Sequence, residues 1–404
     1  MSDTAAPVPT PAPTSTSTST PLPATEAPPV ALPPAEHRLA IRFVGSGSEY
    51  FRIWIVNLLL TIVTLGLYHP FAKVRRLRYF YGSTEVGGQP LSFHADPWRM
   101  LRGFLLMVLL FAVYAGAGHW SPVAGVVAFA VLAALWPALW HSALHFRMAN
   151  TGWRGLRFHF TGRLAGAYAT WAPLGVVALG FVVLGAVQAQ DVREAGEPLP
   201  VSPWWGLLPL VWLLAMPAFF WLLKRYQHQH LALGEEVSRF KVRPRHYYAL
   251  ALRVFGLYTL GGVGLVLLML PLAALANGQG GSPSWMALLP MLFMLLLMSV
   301  LWPYVVSRSQ NLVWNGTASP AIAFESQLRW GPLAQLTVAN LGLMVVTLGL
   351  YYPFATVALA RLRLEAVSVR LNVDPEQLVA SQAAARPGAA GDAAADMLGL
   401  DVGL

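Results

Sequence analysis

Few residues of this 404-residue chain could do chemistry in an apolar setting. Asn57 and Asn340 each sit within an apolar stretch. An amide there either lines a path for a polar solute or hydrogen-bonds to a neighbouring helix, an interaction worth up to about 1–2 kcal/mol. Packing is the plainer reading of both. Thr64-Leu-Gly-Leu-Tyr68 with Pro70, and Thr347-Leu-Gly-Leu-Tyr351 with Pro353, terminate helices by their backbone chemistry. Gly66 and Gly349 supply turn geometry, and the prolines lack an amide donor. Broken helices at matching places in two halves point to binding sites in transporters, although a structural kink is the simpler account. His141 and His145 share a helix face at i, i+4, and His228, His230 and His246 share a loop. No acidic or thiolate ligand accompanies them, so solvated or interfacial histidines are expected rather than a metal site. Ser238-Arg-Phe-Lys241 has Ser-x-x-Lys spacing, but it falls on a strand-like segment in a basic loop and reads as coincidence.

What is missing discriminates as well. The chain has no phosphate-binding Gly-rich loop ending in Lys-Ser/Thr, no His-Glu-x-x-His, no Gly-x-Ser-x-Gly and no cysteine. Without a nucleophile, base or metal cluster it is not expected to be an enzyme, even one acting on lipid, or to carry a cofactor.

The elements that position these residues follow from composition. Hydrophobic residues make up 56% and charged residues 11%, a balance no soluble domain of this size could bury. The apolar residues gather into blocks long enough for a helix to cross a bilayer. Six long spans run from Gly103 to His119, Pro122 to Trp140, Ala165 to Gln188, Trp204 to Leu223, Val254 to Ala276 and Trp285 to Val306. They pair into three hairpins, joined around Ser121, Asp191 to Ser202 and Asn277 to Ser284. Two shorter segments, Ile53 to Tyr68 and Leu333 to Tyr351, either span or re-enter. None of the six long spans holds Asp or Glu, which argues against a cation-coupled carrier built on an intramembrane carboxylate. Trp120, Trp204, Trp205, Trp285 and Trp302 lie near span ends, where an indole suits the headgroup boundary.

Lysine and arginine crowd the loops between hairpins, among them Lys73, Arg75, Arg76, Arg147, Arg154, Lys224, Arg239 and Arg308. The tight links opposite hold only Arg193, flanked by Asp191, Glu194 and Glu197. The basic loops are therefore expected in the cytoplasm. This asymmetry accounts for the +9 net charge without nucleic acid. The expected partners are the bilayer and anionic lipid headgroups at those loops; the residues identify no protein partner. Residues 1–36 are Pro/Thr/Ser/Ala-rich and read as a disordered tail, residues 37–372 as the membrane domain, and residues 373–404 as an Ala/Gly-rich tail, mostly disordered beyond a short helix.

Internal repetition is the most specific feature. Asn57, Thr64-Leu-Gly-Leu-Tyr68, Pro70-Phe-Ala72, Val74 and Arg78 recur as Asn340, Thr347-Leu-Gly-Leu-Tyr351, Pro353-Phe-Ala355, Val357 and Arg361, at a constant spacing of 283. Period-two alternation in the basic loops predicts short cytoplasmic β-hairpins. Their expected first strands are Tyr79–Tyr81, Arg147–Thr151, Leu231–Leu233 and Asn311–Val313; the second strands follow at Leu91–Phe93, Leu156–Phe160, Arg239–Val242 and Ala321–Phe324. Leu39–Phe43 resembles a second strand without its first, and Arg363–Val369 a first without its second, so the two could complete one another. That puts both ends on one face. Cytoplasmic tails, with the two Thr-Leu-Gly-Leu-Tyr elements re-entrant, suit the charge rule better than eight full crossings.

Phe43, Gly45, Glu49-Tyr50-Phe51, Asn57, Thr64 to Tyr68, Pro70 and Arg78-Tyr79, with Asn150-Thr151 and Gly155 to Phe160, resemble the YjgN-like family of bacterial inner-membrane proteins, a domain of unknown function numbered 898. The resemblance runs from about Arg38 to Val369, departs at Phe71 where the family usually has Trp, and implies a multi-pass protein of the cytoplasmic membrane. It brings no activity. The expected fold is thus an all-α polytopic membrane protein with short β-hairpins. A transporter or channel, with a polar cavity at Asn57 and Asn340, and a non-catalytic scaffold or envelope-assembly protein, with a closed bundle and a β-layer, both remain open.

Overall fold

The apolar blocks fold into helices, and the polar segments between them fold into strands, in a strict alternation. The chain is described here in a computed structural model covering residues 37–195, 204–278 and 288–384. The expected tail 1–36, the end of the C-terminal tail and much of the links Asp191–Ser202 and Asn277–Ser284 lie outside the described residues.

Five successive units share one plan of strand, helical hairpin, strand. The first is β1 (His37–Phe43), α1 (Gly47–Val63), α2 (His69–Gly82) and β2 (Thr84–Val86). The second is β3 (Gln89–Phe93), α3 (Pro97–Trp120), α4 (Pro122–Ala149) and β4 (Thr151–Trp153), and the third is β5 (Leu156–Phe160), α5 (Leu164–Ala195), α6 (Trp204–Gln229) and β6 (Leu231–Leu233). The fourth opens with a segment kinked at Ser238 into β7 (Glu236–Val237) and β8 (Arg239–Phe240), then has α7 (Pro244–Gly278), α8 (Leu288–Asn315) and β9 (Thr317–Ala318). The fifth is β10 (Ile322–Ser326), α9 (Trp330–Val346), α10 (Tyr352–Glu365) and β11 (Val367–Leu371), after which comes α11 (Pro375–Ala384). Six of the described helices, α3 to α8, are long and apolar enough to cross a bilayer.

The strands form one antiparallel sheet in the order β7-β6-β5-β4-β3-β2-β1-β11-β10-β9-β8. Its first and last members are separated in sequence only by Ser238, so the sheet bends round into a nearly closed ring. Closure needs the chain ends to meet, and they do: His37 to Ala40 pair with Leu371 to Ser368. The short hairpins expected from alternation are thus joined edge to edge, which leaves few unpaired backbone groups.

Above the ring the helices follow the same circle. Each packs on its chain neighbours, and α10 packs on α1. Backbone carbonyls of the next unit's entry link are held by side chains of the preceding unit: Arg78 donates to the Ala95 carbonyl at 3.0 Å, Trp221 to that of Val242 at 2.8 Å and Asn311 to that of Leu328 at 3.0 Å. Arg361 closes the circle, donating to Gly45 O at 2.8 Å and Phe43 O at 3.3 Å.

Three of the expected first strands are displaced. Tyr79–Tyr81, most of Arg147–Thr151 and Asn311–Val313 are the last turns of α2, α4 and α8, and α10 likewise runs through Arg363 to Glu365. The hydroxyls of Thr84, Thr151 and Thr317 donate to the carbonyls four residues back, at 2.7, 2.8 and 2.7 Å, and so end the helices just before each strand. A turn of amphipathic helix and a short alternating strand look alike over three residues.

The ring interior is an apolar core. Val86, Trp153, Leu156, Leu233, Ile322, Val369 and Leu371 come from strands all round the ring and converge there. Leu378 of α11, 4% exposed, joins the same cluster. In β1 the alternation turns Leu39 and Ile41 inward and Arg38 and Arg42 outward.

Candidate functional site

The helices rise unequally. α1 and α9 have 17 residues, α2 and α10 have 14, whereas α3 has 24 and α8 has 28. Because α10 packs on α1, the four short helices stand side by side and make one low stretch of wall between α8 and α3. Their tips are the Thr-Leu-Gly-Leu-Tyr turns. Thr64 and Thr347 each donate to the carbonyl four residues back at 2.7 Å and accept from the amide of Tyr68 or Tyr351 at 3.0 Å. Gly66 and Gly349 hold φ of +92° and +88°, and Pro70 and Pro353 begin the descending helices. The turns present Leu65 and Leu348 almost fully exposed, at 94% and 93%.

Asn57 and Asn340 lie in the seams of these hairpins, 8% and 2% exposed. Asn57 Nδ2 donates to Ala72 O at 3.5 Å, while Asn57 Oδ1 and Asn340 Nδ2 have no hydrogen-bond partner. The eight expected residues therefore form two matching tip-and-seam sets rather than one site. The histidines do not assemble either: His141 bonds Tyr226 Oη at 2.7 Å, His228 bonds Thr317 at 3.3 Å, and no group of three potential ligands occurs among the described residues.

A second set of residues is basic and is spread over four helices. Lys224 of α6 is in electrostatic reach of Arg363 on α10 and Arg147 on α4, and Lys73 on α2 is in reach of Arg147 and Arg76. α4, α6 and α10 are not neighbours in the helix circle. Lys73, Arg147 and Arg363 are exposed to solvent and Lys224 is half-buried. Arg363 Nε donates to Gln310 Oε1 at 2.9 Å, and Gln310 Nε2 donates back to Arg363 O at 2.8 Å, which fixes the guanidinium. Lys224 Nζ donates to Gln227 Oε1 at 3.1 Å. Glu325 pairs with Arg38 and Arg370, away from these four residues.

In the sequence these are basic residues near helix ends, a placement that lipid headgroups explain equally well. Only circular closure brings helices far apart in sequence to one centre. Two other hollows carry less. An apolar one of about 550 Å³ opens between α4, α5 and α6 at Phe129, Phe181 and Trp212, and one of about 470 Å³ lies beside the Ser238 kink.

The family model described as "Bacterial protein of unknown function (DUF898)" matches residues 38–397. An "Inner membrane protein YjgN" of Salmonella typhimurium is 25% identical over 366 residues, which cover 85% of this chain and 91% of that protein. Proteins of the same name from Escherichia coli O157:H7 and Escherichia coli K12 are each 32% identical over 146 residues, 36% of this chain and 36% of theirs. No solved structure matches.

Proposed function

This chain belongs to the DUF898 family and is a multi-pass protein of the bacterial inner membrane, and on that premise we propose that it is a transporter or channel whose passage is the interior of the helix circle. The observation that carries this reading is the closed circle of helices, in which each packs on its chain neighbours and α10 packs on α1, with basic residues such as Lys73, Arg147, Lys224 and Arg363 on four non-adjacent members of it. Cations are costly in a bilayer and occur where they line a water-filled path or a ligand site. The lysines and arginines at the helix bases support a cytoplasmic β-ring under the positive-inside rule, with α1–α2 and α9–α10 as re-entrant hairpins. The β-ring core and Leu378 block the cytoplasmic end, so conduction requires them to move.

A membrane scaffold is the second reading, favoured by that same solid filling of the β-ring. Cysteine labelling separates the two, since the chain has no cysteine of its own. A membrane-impermeant thiol reagent applied to intact cells is expected to modify Lys73→Cys and Arg147→Cys, while Asn57→Cys and Asn340→Cys stay protected. Protection of all four from both sides of the membrane, with no solute flux in proteoliposomes, would move the assignment to a scaffold.

A further inference from the structure

We propose that the apolar hollow between α4, α5 and α6 is a binding site for one acyl chain of a bilayer phospholipid, seated in the half of the membrane away from the β-ring. Such a site does not depend on conduction through the helix circle.

A register of prolines sets where the hollow forms. Pro70, Pro137, Pro217, Pro303 and Pro353 are all buried, and each lies 14 residues before the strand that ends its unit, at Thr84, Thr151, Leu231, Thr317 and Val367 respectively. At about 1.5 Å per residue they share one level, roughly 21 Å above the β-ring. Pro70 and Pro353 begin α2 and α10, so the short hairpins turn just above this level. Among the described helices α3 to α8 continue beyond it, and there the bilayer reaches them over the short hairpins. Pro137 and Pro217 fall inside α4 and α6, and Pro173 falls inside α5 between them. Each removes a backbone hydrogen bond, which is where a helix axis turns.

On the β-ring side of these prolines aromatic rings clamp the three helices together. Trp140 and Tyr226 have centroids 5.1 Å apart, Trp171 and Phe219 5.1 Å, and Trp140 and Trp171 5.7 Å. On the other side the helices leave about 550 Å³ between them, lined by Phe129, Ala178, Phe181, Val182, Trp212 and Leu213 among others, every one uncharged. Phe129 is seven residues into α4 from Pro122, and Trp212 eight into α6 from Trp204, about 10–12 Å from the far helix ends. One leaflet's share of the hydrocarbon core is roughly 15 Å, so this is the depth of acyl chains rather than headgroups. Left empty, the walls would forfeit dispersion contacts, and water finds too few polar partners on them to stay. A flexible run of methylenes fills such a space. The walls offer a carboxylate nothing, so a free fatty acid gains no advantage over the phospholipid that surrounds the protein in excess.

Photolabelling of the full chain in proteoliposomes tests this, with phosphatidylcholine carrying a diazirine near the end of one acyl chain and mass spectrometry to map the adducts. We expect them to concentrate at Phe181, Val182 and Trp212, above the level at Leu260 and Val263, exposed apolar positions at comparable depth on α7. Ala178→Trp should lower labelling of the hollow roughly tenfold and Ala178→Leu by less, with Leu260 and Val263 unchanged. The leucine variant adds little bulk and keeps the test decisive if the tryptophan variant does not fold. Labelling of all six long helices in proportion to their exposure, or no effect of substitution at Ala178, would overturn the site. A fatty acid with the same diazirine that labels the hollow where the phospholipid does not would overturn the phospholipid as its occupant.

Discussion

Leu65 and Leu348 hold φ of 50° and 49°, in the left-handed region, and each is followed by a glycine at still larger positive φ. For an L side chain this conformation costs about 1–2 kcal/mol, so a tip that keeps leucine there gains something from it, and its near-complete exposure points to the bilayer. The glycines give a clean test. A Cβ on Gly66 or Gly349 would meet nothing within 4 Å, so Gly66→Ala and Gly349→Ala should each destabilise by about 1–2 kcal/mol through backbone strain alone. Thermal unfolding in detergent reads this, and an unchanged midpoint for both would show that the tips are free to rearrange. The turn was legible in the sequence because Gly and Pro act locally. The approach of α6 to α10 at Lys224 and Arg363 was not, because these residues lie 139 positions apart and nothing local marks them as near one another.

At the scale of elements, the seam between the first and last units decides whether the circle stays closed. Arg361 spans it with two hydrogen bonds to carbonyls. Arg361→Ala should cost about 1–2 kcal/mol, the low end for charge-assisted bonds because the guanidinium is exposed. Arg361→Lys should recover little, since one ammonium cannot reproduce the fork. Faster amide exchange in β1 and β11 than in β4 and β5 would be the signature, and equal protection would contradict it. Glu325 ties the same seam by pairing Arg38 at 2.8 Å and Arg370 at 3.0 Å. A hydrogen bond from Gln327, then the two guanidiniums, hold its carboxyl below the usual range. Its folded pKa is therefore depressed: the contribution is complete above the ordinary carboxylate value and disappears as pH falls through the lower, folded one. The difference in unfolding temperature between the parent and Glu325→Gln should be constant near neutrality and vanish in acid; a difference that grows in acid would reverse the assignment. The pairing of Leu39–Phe43 with the chain end was readable because each strand looked unpaired. The displaced first strands were not, because Thr84, Thr151 and Thr317 end their helices with bonds that period-two alternation does not register.

For the whole molecule, five similar units close into a circle, and within the β-ring its centre is an apolar core that α11 completes. By composition the residues beyond 373 read as tail, because Ala and Gly dominate there and an isolated Leu378 carries little weight. Only closure of the ring makes a place for Leu378, against Trp153, Leu233 and Leu371 from opposite arcs. Leu378→Ala should therefore behave as a core truncation, costing about 2–5 kcal/mol, yet one confined to the β-ring, since α11 touches β5 and the ring core rather than the long helices. Hydrogen exchange on the full chain should show faster exchange across β5, β6 and β11 with α3 to α8 unchanged. Uniform acceleration would mean that ring and helices unfold as one unit, and no acceleration would mean that α11 is not part of the core. If the change stays local, the β-ring can open while the helices hold their circle, which is what the proposed passage requires in order to conduct.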